Sequence, residues 1–266
     1  MLPFQNQTVV ITGASSGIGW STAVEFAKLG ANLVLAARSG DKLELLAGEL
    51  RDYAGGVIAV PTDVTAPEQV QALVDRAVEK FGRIDVFINN AGAGFGGAVA
   101  DSDPQDIDDL MKLNVMGPVY GVHAVVPVMR RQGNGIIVNV SSPMAHMPFP
   151  TAGVYSASKA ALNSLNWAME AELAKDNIHV MLVYPGLTRT GFFAASRGGR
   201  ESGWPKRLMD RAEPPERIAR KLVEGVLKRR SWVWFNPWAR LGIPLMGSRI
   251  VRRALARGRR GGHGTE

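Results

Sequence analysis

The chain has 266 residues, 46% of them hydrophobic, with no cysteine and four scattered histidines. That length supports one undivided α/β core, while the absent thiols and the histidine spacing exclude disulfides, thiolate metal sites and a zinc motif. We expect a reducing, cytoplasmic setting and no metal. The formal charge of +7 is local: seven arginines and no acid lie between Arg240 and Arg260, which leaves 24 basic residues against 24 acidic ones. A chain neutral outside one short segment gives no footprint for nucleic acid.

The N-terminal residues enter a buried-strand pattern within a few positions, with neither a basic leader nor a long apolar stretch, so no secretion signal is expected. Apolar, β-rich runs then alternate with helix-length amphipathic segments. The predicted strands are TVVIT (8–12), ANLVLAA (31–37), GVIAV (56–60), IDVFIN (84–89), GIIVNVS (135–141), IHVMLVY (178–184) and SWVWF (231–235). Such continuously apolar runs fit strands buried on both faces, and the intervening helices make right-handed crossovers the economical connection. The expected fold is α/β, a single domain built on a doubly wound, seven-stranded parallel sheet.

The first strand ends in Thr12-Gly13-Ala14-Ser15-Ser16-Gly17-Ile18-Gly19 and an alanine-rich helix follows. Glycines there permit a tight turn and a close backbone approach to a pyrophosphate, whose charge is favoured by the free N–H groups of a helix N-terminus. Strand, turn, helix and next strand in this order make a dinucleotide-binding Rossmann unit. After the second strand comes Ala36-Ala37-Arg38-Ser39, after the third Asp63-Val64, and after the fourth Asn89-Asn90-Ala91-Gly92. A helix-forming segment 104–131 carries Asn114, followed by Gly117-Pro118. Ser141-Ser142 ends the fifth strand, a helix predicted over 154–175 begins near Tyr155-Ser156-Ala157-Ser158-Lys159, and Pro185-Gly186-Leu187-Thr188-Arg189-Thr190 follows the sixth. Tyr155 and Lys159, four apart on a helix, share one face.

These motifs, in this order over about residues 5–236, resemble the short-chain dehydrogenase/reductase family. The resemblance implies an NAD(P)(H)-dependent oxidoreductase in which Tyr155 exchanges a proton with the substrate oxygen. Lys159, with the cofactor's positive nicotinamide, lowers the phenol's pKa and also holds the nicotinamide ribose, Ser142 hydrogen-bonds the substrate oxygen, and Asn114 completes a proton relay through a water. Ser141 is an alternative to Ser142, and Asn114 reads equally as a local helix irregularity. In the cofactor site the resemblance includes Gly13, Ser15, Ser16, Gly17, Ile18, Gly19, Asp63 (adenine), Val64, Asn89, Ala91, Gly92, Tyr155, Lys159, Pro185, Gly186, Thr188 and Thr190. An NAD-specific relative carries an acid where this chain has Ala37. Arg38 is suited to a ribose 2′-phosphate, so NADP(H) is favoured over NAD(H), unless Arg38 is merely solvated. His146, four residues past Ser142, lacks the accompaniments of a Ser–His dyad.

Phe95, Met144, Met147, Phe149, Phe192, Phe193 and Trp204 are expected around the cleft mouth, which suits a lipophilic ketone or secondary alcohol. The same residue types also serve as core. A long loop over 191–207 adds Arg197, Arg200, Lys206 and Arg207, with Arg211 just beyond, and so a second reading, reduction of a 3-oxoacyl group on an acyl-carrier protein or coenzyme A. A non-catalytic nucleotide sensor is a reading of another class, against which the intact Asn114, Ser142, Tyr155 and Lys159 stand. The family implies a homodimer or homotetramer built on the segments 104–131 and 154–175. The catalytic domain is assigned to 1–238 and a basic amphipathic extension to 239–266. In the extension, a helix over 245–257 sets Met246, Ile250, Val251, Ala254 and Leu255 on one arc and Arg249, Arg252, Arg253 and Arg257 on the other. With Trp232, Trp234 and Trp238 upstream, that segment either lies in a membrane interface as a peripheral contact or packs its apolar arc on protein. It is too short to span a bilayer, which takes about 20 apolar residues.

Overall fold

The computed structural model describes residues 2–189, 192 and 212–235. The expectations for Thr190, Phe193, Trp204, the basic residues 197–211, Trp238 and the extension 239–266 lie outside the described residues.

Every predicted strand forms: β1 (Thr8–Thr12), β2 (Asn32–Ala37), β3 (Gly56–Pro61), β4 (Val86–Asn89), β5 (Gly135–Val140), β6 (Ile178–Tyr184) and β7 (Trp232–Trp234). They pair in parallel in the order β3-β2-β1-β4-β5-β6-β7. Helices α1 (Gly17–Lys28), α2 (Gly40–Leu50), α3 (Pro67–Phe81), α4 (Pro104–Met111), α5 (Gly117–Gln132), α6 (Gly153–Leu173) and α7 (Pro215–Leu227) cover the sheet. Successive strand residues face opposite ways, and here both faces are buried. Val9, Ile11, Leu33 and Leu35 pack with Phe26 of α1, Leu46 of α2 and Leu222 of α7. Val10, Val34, Phe87 and Ile137 pack with Leu73 of α3, Val125 of α5 and Leu173 of α6. That is why the strands read as unbroken apolar runs. No helix among the described residues is long and apolar enough to cross a membrane.

The strand order reverses between β1 and β4, and a crevice opens beyond their C-terminal ends at such a reversal. Two devices hold it in shape. Gly121 lets α5 approach β4, since a Cβ there would lie 2.5 Å from Asn89 Oδ1 and 2.7 Å from the Phe87 ring. A ladder of buried amides also joins β4, β5 and α6: Asn89 Nδ2 donates to Asn139 Oδ1 (2.9 Å), and Asn139 Nδ2 to Asn166 Oδ1 (2.8 Å).

The segment 104–131 is not one continuous helix. Between α4 and α5, Lys112–Met116 form a π-helical turn. Pro118 has no N–H to give to the carbonyl four residues earlier, and the wider turn accommodates this break.

At the opposite end of the sheet, the buried Asp85 accepts from the Thr8 backbone N–H at the start of β1 (Oδ2, 2.8 Å) and from both Nε and Nη2 of Arg83 (2.9 and 2.6 Å). Asp85→Ala strands a buried N–H and is expected to cost about 1–3 kcal/mol. Arg83→Ala removes a half-exposed partner and is expected to cost about 1 kcal/mol or less. Denaturant midpoints of the two variants check the order; an equal or larger loss for Arg83→Ala contradicts it.

Candidate active site

The turn after β1 is built by steric exclusion. Gly13 and Gly17 have φ of +67° and +55°, a region that favours glycine. A Cβ on Gly19 would lie 2.3 Å from the Gly13 carbonyl oxygen. The chain is pinned from β4: Asn90 Nδ2 donates to the carbonyls of Thr12 (2.8 Å) and Gly13 (3.2 Å), while Thr12 Oγ1 accepts from the N–H groups of Asn90 (3.0 Å) and Ala91 (3.1 Å). Helix α1 begins at Gly17, and the exposed Ser16 before it makes no side-chain capping bond. Its first N–H groups are thus left for an anion. Ser15 and Ile18 sit half-buried beside it.

Asn89 turns its side chain into the structure. It is 4% exposed, and its Nδ2 is committed to Asn139 and to the Pro118 carbonyl. Asn90 is the residue that shapes the glycine turn; the doubled Asn-Asn was its only sequence signal.

Arg38 is exposed at the end of β2, and Ser39, before α2, makes no side-chain capping bond. Burial pushes the Asp63 carboxyl up, but hydrogen bonds from Thr65 N–H and Oγ1 (2.9 and 2.8 Å) and the charge of Arg38 outweigh it and hold the group below its ordinary value. Arg38 and Asp63 therefore share one electrostatic neighbourhood. Val64 is buried against Gly117, where a Cβ would stand 3.1 Å from it.

Helix α6 buries Tyr155 and Lys159 side by side. Lys159 Nζ donates to the Val140 carbonyl (2.9 Å). In the π-helical turn, Asn114 Oδ1 accepts from Ala93 N–H (3.0 Å), and its Nδ2 donates to Ala93 C=O (3.0 Å) and to Ser158 Oγ (3.1 Å). Ser158 Oγ in turn donates to the Tyr155 carbonyl (2.7 Å). The helix irregularity thus sets Asn114 against Ala93 and Ser158. Gly92 lies between: a Cβ there would stand 3.1 Å from Asn114 Oδ1 and 3.5 Å from Lys159 Nζ. Ser142 faces the Tyr155 phenol closely enough to oppose its upward shift, and its Oγ accepts from Met144 N–H (3.2 Å). Ser141 instead donates to Asn163 Oδ1 (2.6 Å), away from Tyr155.

Burial pushes the Tyr155 phenol up to about 12, against the opposing effect of Ser142, and pushes the Lys159 ammonium down to about 8. Desolvation acts on both groups and dominates.

Phe95, Leu110, Val154 and Tyr155 form an apolar cluster with Met144, Ile107 and Phe192 packed on it. The Phe192 ring meets Tyr155 edge-on at 5.9 Å. Met147 and Phe149 are half-buried farther along the same segment. Pro185 is buried, Gly186 faces Phe235, which would lie 3.2 Å from a Cβ, and the buried Thr188 donates through Oγ1 to the Gly186 carbonyl (2.9 Å). His146 points elsewhere, to Asn163, Tyr184, Trp167 and Trp234.

A parallel sheet with a glycine turn at its reversal point, beside a buried tyrosine and lysine, defines a dinucleotide-binding oxidoreductase class. The family model described as short chain dehydrogenase matches residues 7–201. An uncharacterized oxidoreductase of Staphylococcus haemolyticus is 36% identical over 211 residues, 79% of this chain and 90% of the relative. A short chain dehydrogenase/reductase from Burkholderia phymatum, solved in complex with NAD, superposes with a TM-score of 0.84 at 32% identity, over 92% of this chain and 94% of the other. A short-chain dehydrogenase from Sphingobium yanoikuyae, in complex with NADPH, gives 0.76 at 30% identity, over 96% and 94%. The chain belongs to the short-chain dehydrogenase/reductase family.

The depressed Lys159 has a stability consequence. Between its folded value of about 8 and its ordinary 10.5, the unfolded chain holds a proton that the folded chain has released, so this group's contribution to stability grows as pH rises. The phenols of Tyr155 and Tyr184, held up at about 12, act in the opposite sense only above their ordinary 10.0. Lys159→Met is expected to flatten the rise in stability between about pH 8 and 10, checked by denaturation midpoints across that range. An unchanged slope contradicts the assignment.

Proposed function

We propose that this protein is an NADP(H)-dependent oxidoreductase acting on a carbonyl or secondary alcohol of a lipophilic substrate. The observation that carries this reading is the dry constellation of Asn114, Ser142, Tyr155 and Lys159 beside an apolar wall, at the C-terminal end of the sheet where its strand order reverses. When bound, the nicotinamide supplies or accepts the hydride. The Gly13–Gly19 turn and the open start of α1 fit its pyrophosphate, because the cradle is one that a Cβ would fill. Asp63 and Val64 would border the adenine, Ala91 and Gly92 would line the floor, and Lys159 would hold the nicotinamide ribose. Pro185, Gly186, Thr188 and Thr190 would close the nicotinamide side.

In this reading Ser142 orients the substrate oxygen and Tyr155 gives or takes its proton, while Lys159 and Asn114 connect the phenol to solvent. Phe95, Leu110, Met144 and Phe192 exclude water from the reacting carbon. The cofactor preference rests on this chain's own Ala37-Arg38, since the similar structures include one with NAD and one with NADPH. A homo-oligomer is supported by the outer face of α6, which leaves Ala157, Leu165 and Ala168 exposed.

A panel of lipophilic ketones with NADPH and NADH, followed at the reduced-nicotinamide band, tests the activity. Tyr155→Phe removes one exchangeable proton and little volume. It is expected to lower kcat by about 10²-fold or more while leaving the NADPH Kd unchanged by fluorescence titration. Near wild-type turnover overturns the role given to Tyr155.

Arg38→Ala is expected to weaken NADPH by about tenfold or more, the loss of a charge-assisted contact, with NADH little changed. An unchanged NADPH-to-NADH affinity ratio shows that Arg38 does not read the 2′-phosphate.

A further inference from the structure

Ser142 rides on a short segment that leaves β5 and turns through Pro143–Ala145 to His146. What fixes that segment lies on α6, one turn past Lys159. The Asn163 side chain is 2% exposed. Its Oδ1 accepts from Ser141 Oγ (2.6 Å) and its Nδ2 lies 3.1 Å from His146 Nε2. One carboxamide therefore grips the segment on both sides of Ser142. The spacing Tyr155, Lys159, Asn163 places all three on one stripe of the helix, so the clamp and the proton-transfer residues share a single rigid element.

The polarity of the clamp is defined. An amide Nδ2 can only donate, so His146 Nε2 must carry the lone pair and the ring proton must sit on Nδ1. The groups against the imidazole are Tyr184 from β6, its hydroxyl 3.4 Å from Nε2, Trp234 from β7, and Trp167 and Asn163 from α6. None of these carries a charge at neutral pH, and burial holds His146 below its ordinary value. A proton on Nε2 would face the amide donor. Turning the amide over would then oblige Ser141, itself buried, to accept where it now donates.

We propose that Asn163 is a positioning residue for the reaction: through Ser141 and the Nδ1–H tautomer of His146 it sets the place of Ser142 relative to Tyr155. The proposal rests on the reading of Ser142 and Tyr155 as the groups that meet the substrate oxygen. Displacement of such a group by about 1 Å typically costs up to about 10²-fold in rate, although Asn163 touches neither substrate nor cofactor.

The test uses the full-length protein and the variants Asn163→Leu, Asn163→Asp, His146→Leu and Tyr155→Phe. Asn163→Leu and His146→Leu are expected to lower kcat by about tenfold to a hundredfold, with the NADPH Kd unchanged. Asn163→Asp keeps an acceptor for Ser141 and offers His146 a second one, which the Nε2–H form of the ring can satisfy. It is expected to recover most of the lost rate. Long-range ¹H–¹⁵N spectra of the imidazoles, with the His146 signal identified by its loss in His146→Leu, supply a readout independent of substrate. The expected result is an Nδ1–H tautomer in the wild type, replaced in Asn163→Asp by Nε2–H and a raised His146 pKa. Wild-type kcat in Asn163→Leu while Tyr155→Phe is inactive overturns the positioning role and leaves the functional reading standing. An Nε2–H tautomer in the wild type overturns the clamp. A wild-type protein inert to the whole ketone panel, or an active Tyr155→Phe, overturns the functional reading and the proposal with it.

Discussion

The cross-link between the ends of β1 and β4 is the constraint from which the rest of the site follows. Asn90 donates two hydrogen bonds to Thr12 across the neighbouring strand pair at which, among the described strands, the winding reverses. That junction presses Asn90 and Ala91 onto the glycine turn so closely that a Cβ at Gly13 would stand 2.8 Å from Asn90 Nδ2. The glycines are therefore demanded from within the fold as well as by any ligand. The same strand end continues into Gly92 and Ala93, which meet Lys159 and Asn114. Through a few residues after β4, the position of the anion cradle is tied to that of the proton-transfer groups.

The second support is a polar network inside a dry region. Asn114, Ala93, Ser158 and the Tyr155 carbonyl form a hydrogen-bonded chain, and Asn89, Asn139 and Asn166 form another beneath it. Buried polar groups stabilise a unique arrangement only when their partners are present. Here the partners come from separate elements, the loop after β4, the π-helical turn, β5 and α6, while Asn166 Nδ2 is left without one among the described residues. The π-helical turn is the geometric adjustment that lets a helix side chain make three hydrogen bonds to groups outside its own helix. An ordinary turn would have rotated Asn114 off that bearing.

Much of this was legible in the sequence. The seven strands were readable because helices cover both faces of the sheet and no polar alternation interrupts the apolar runs. Tyr155 and Lys159 were readable because a four-residue spacing has one meaning on a helix. The division of labour between Asn89 and Asn90 was hidden for a physical reason: strand residues alternate faces, and sequence alone did not say which asparagine of the pair turns to Asn139 and which to the glycine turn. The identity of neighbouring residues hid the choice between Ser141 and Ser142 in the same way, and it is Asn163, 22 residues away, that draws Ser141 to the other side. The break in 104–131 was signalled by Gly117-Pro118, but the partner that Asn114 meets there, Ala93, is distant in the chain. The neighbours of His146 on β6, β7 and α6 were invisible until the strands were paired.

Burial sets a conflict at the centre of the site that only local geometry can resolve. Excluding water strengthens every dipole aimed at a reacting oxygen, but it also drives Tyr155 up to about 12 and Lys159 down to about 8, away from the charged forms. Ser142 is the neighbour among the described residues that opposes the shift of the phenol. The strength of that opposition depends on distance and direction, so it requires a fixed backbone. Three attachments fix the backbone that bears it: Lys159 Nζ on the Val140 carbonyl, Asn163 on Ser141, and the Met144 N–H on Ser142 itself. The first two issue from the same helix face as the phenol. A shift of α6 relative to β5 would therefore carry donor and acceptor together. The design confines the consequences of desolvation to the residues best placed to offset it.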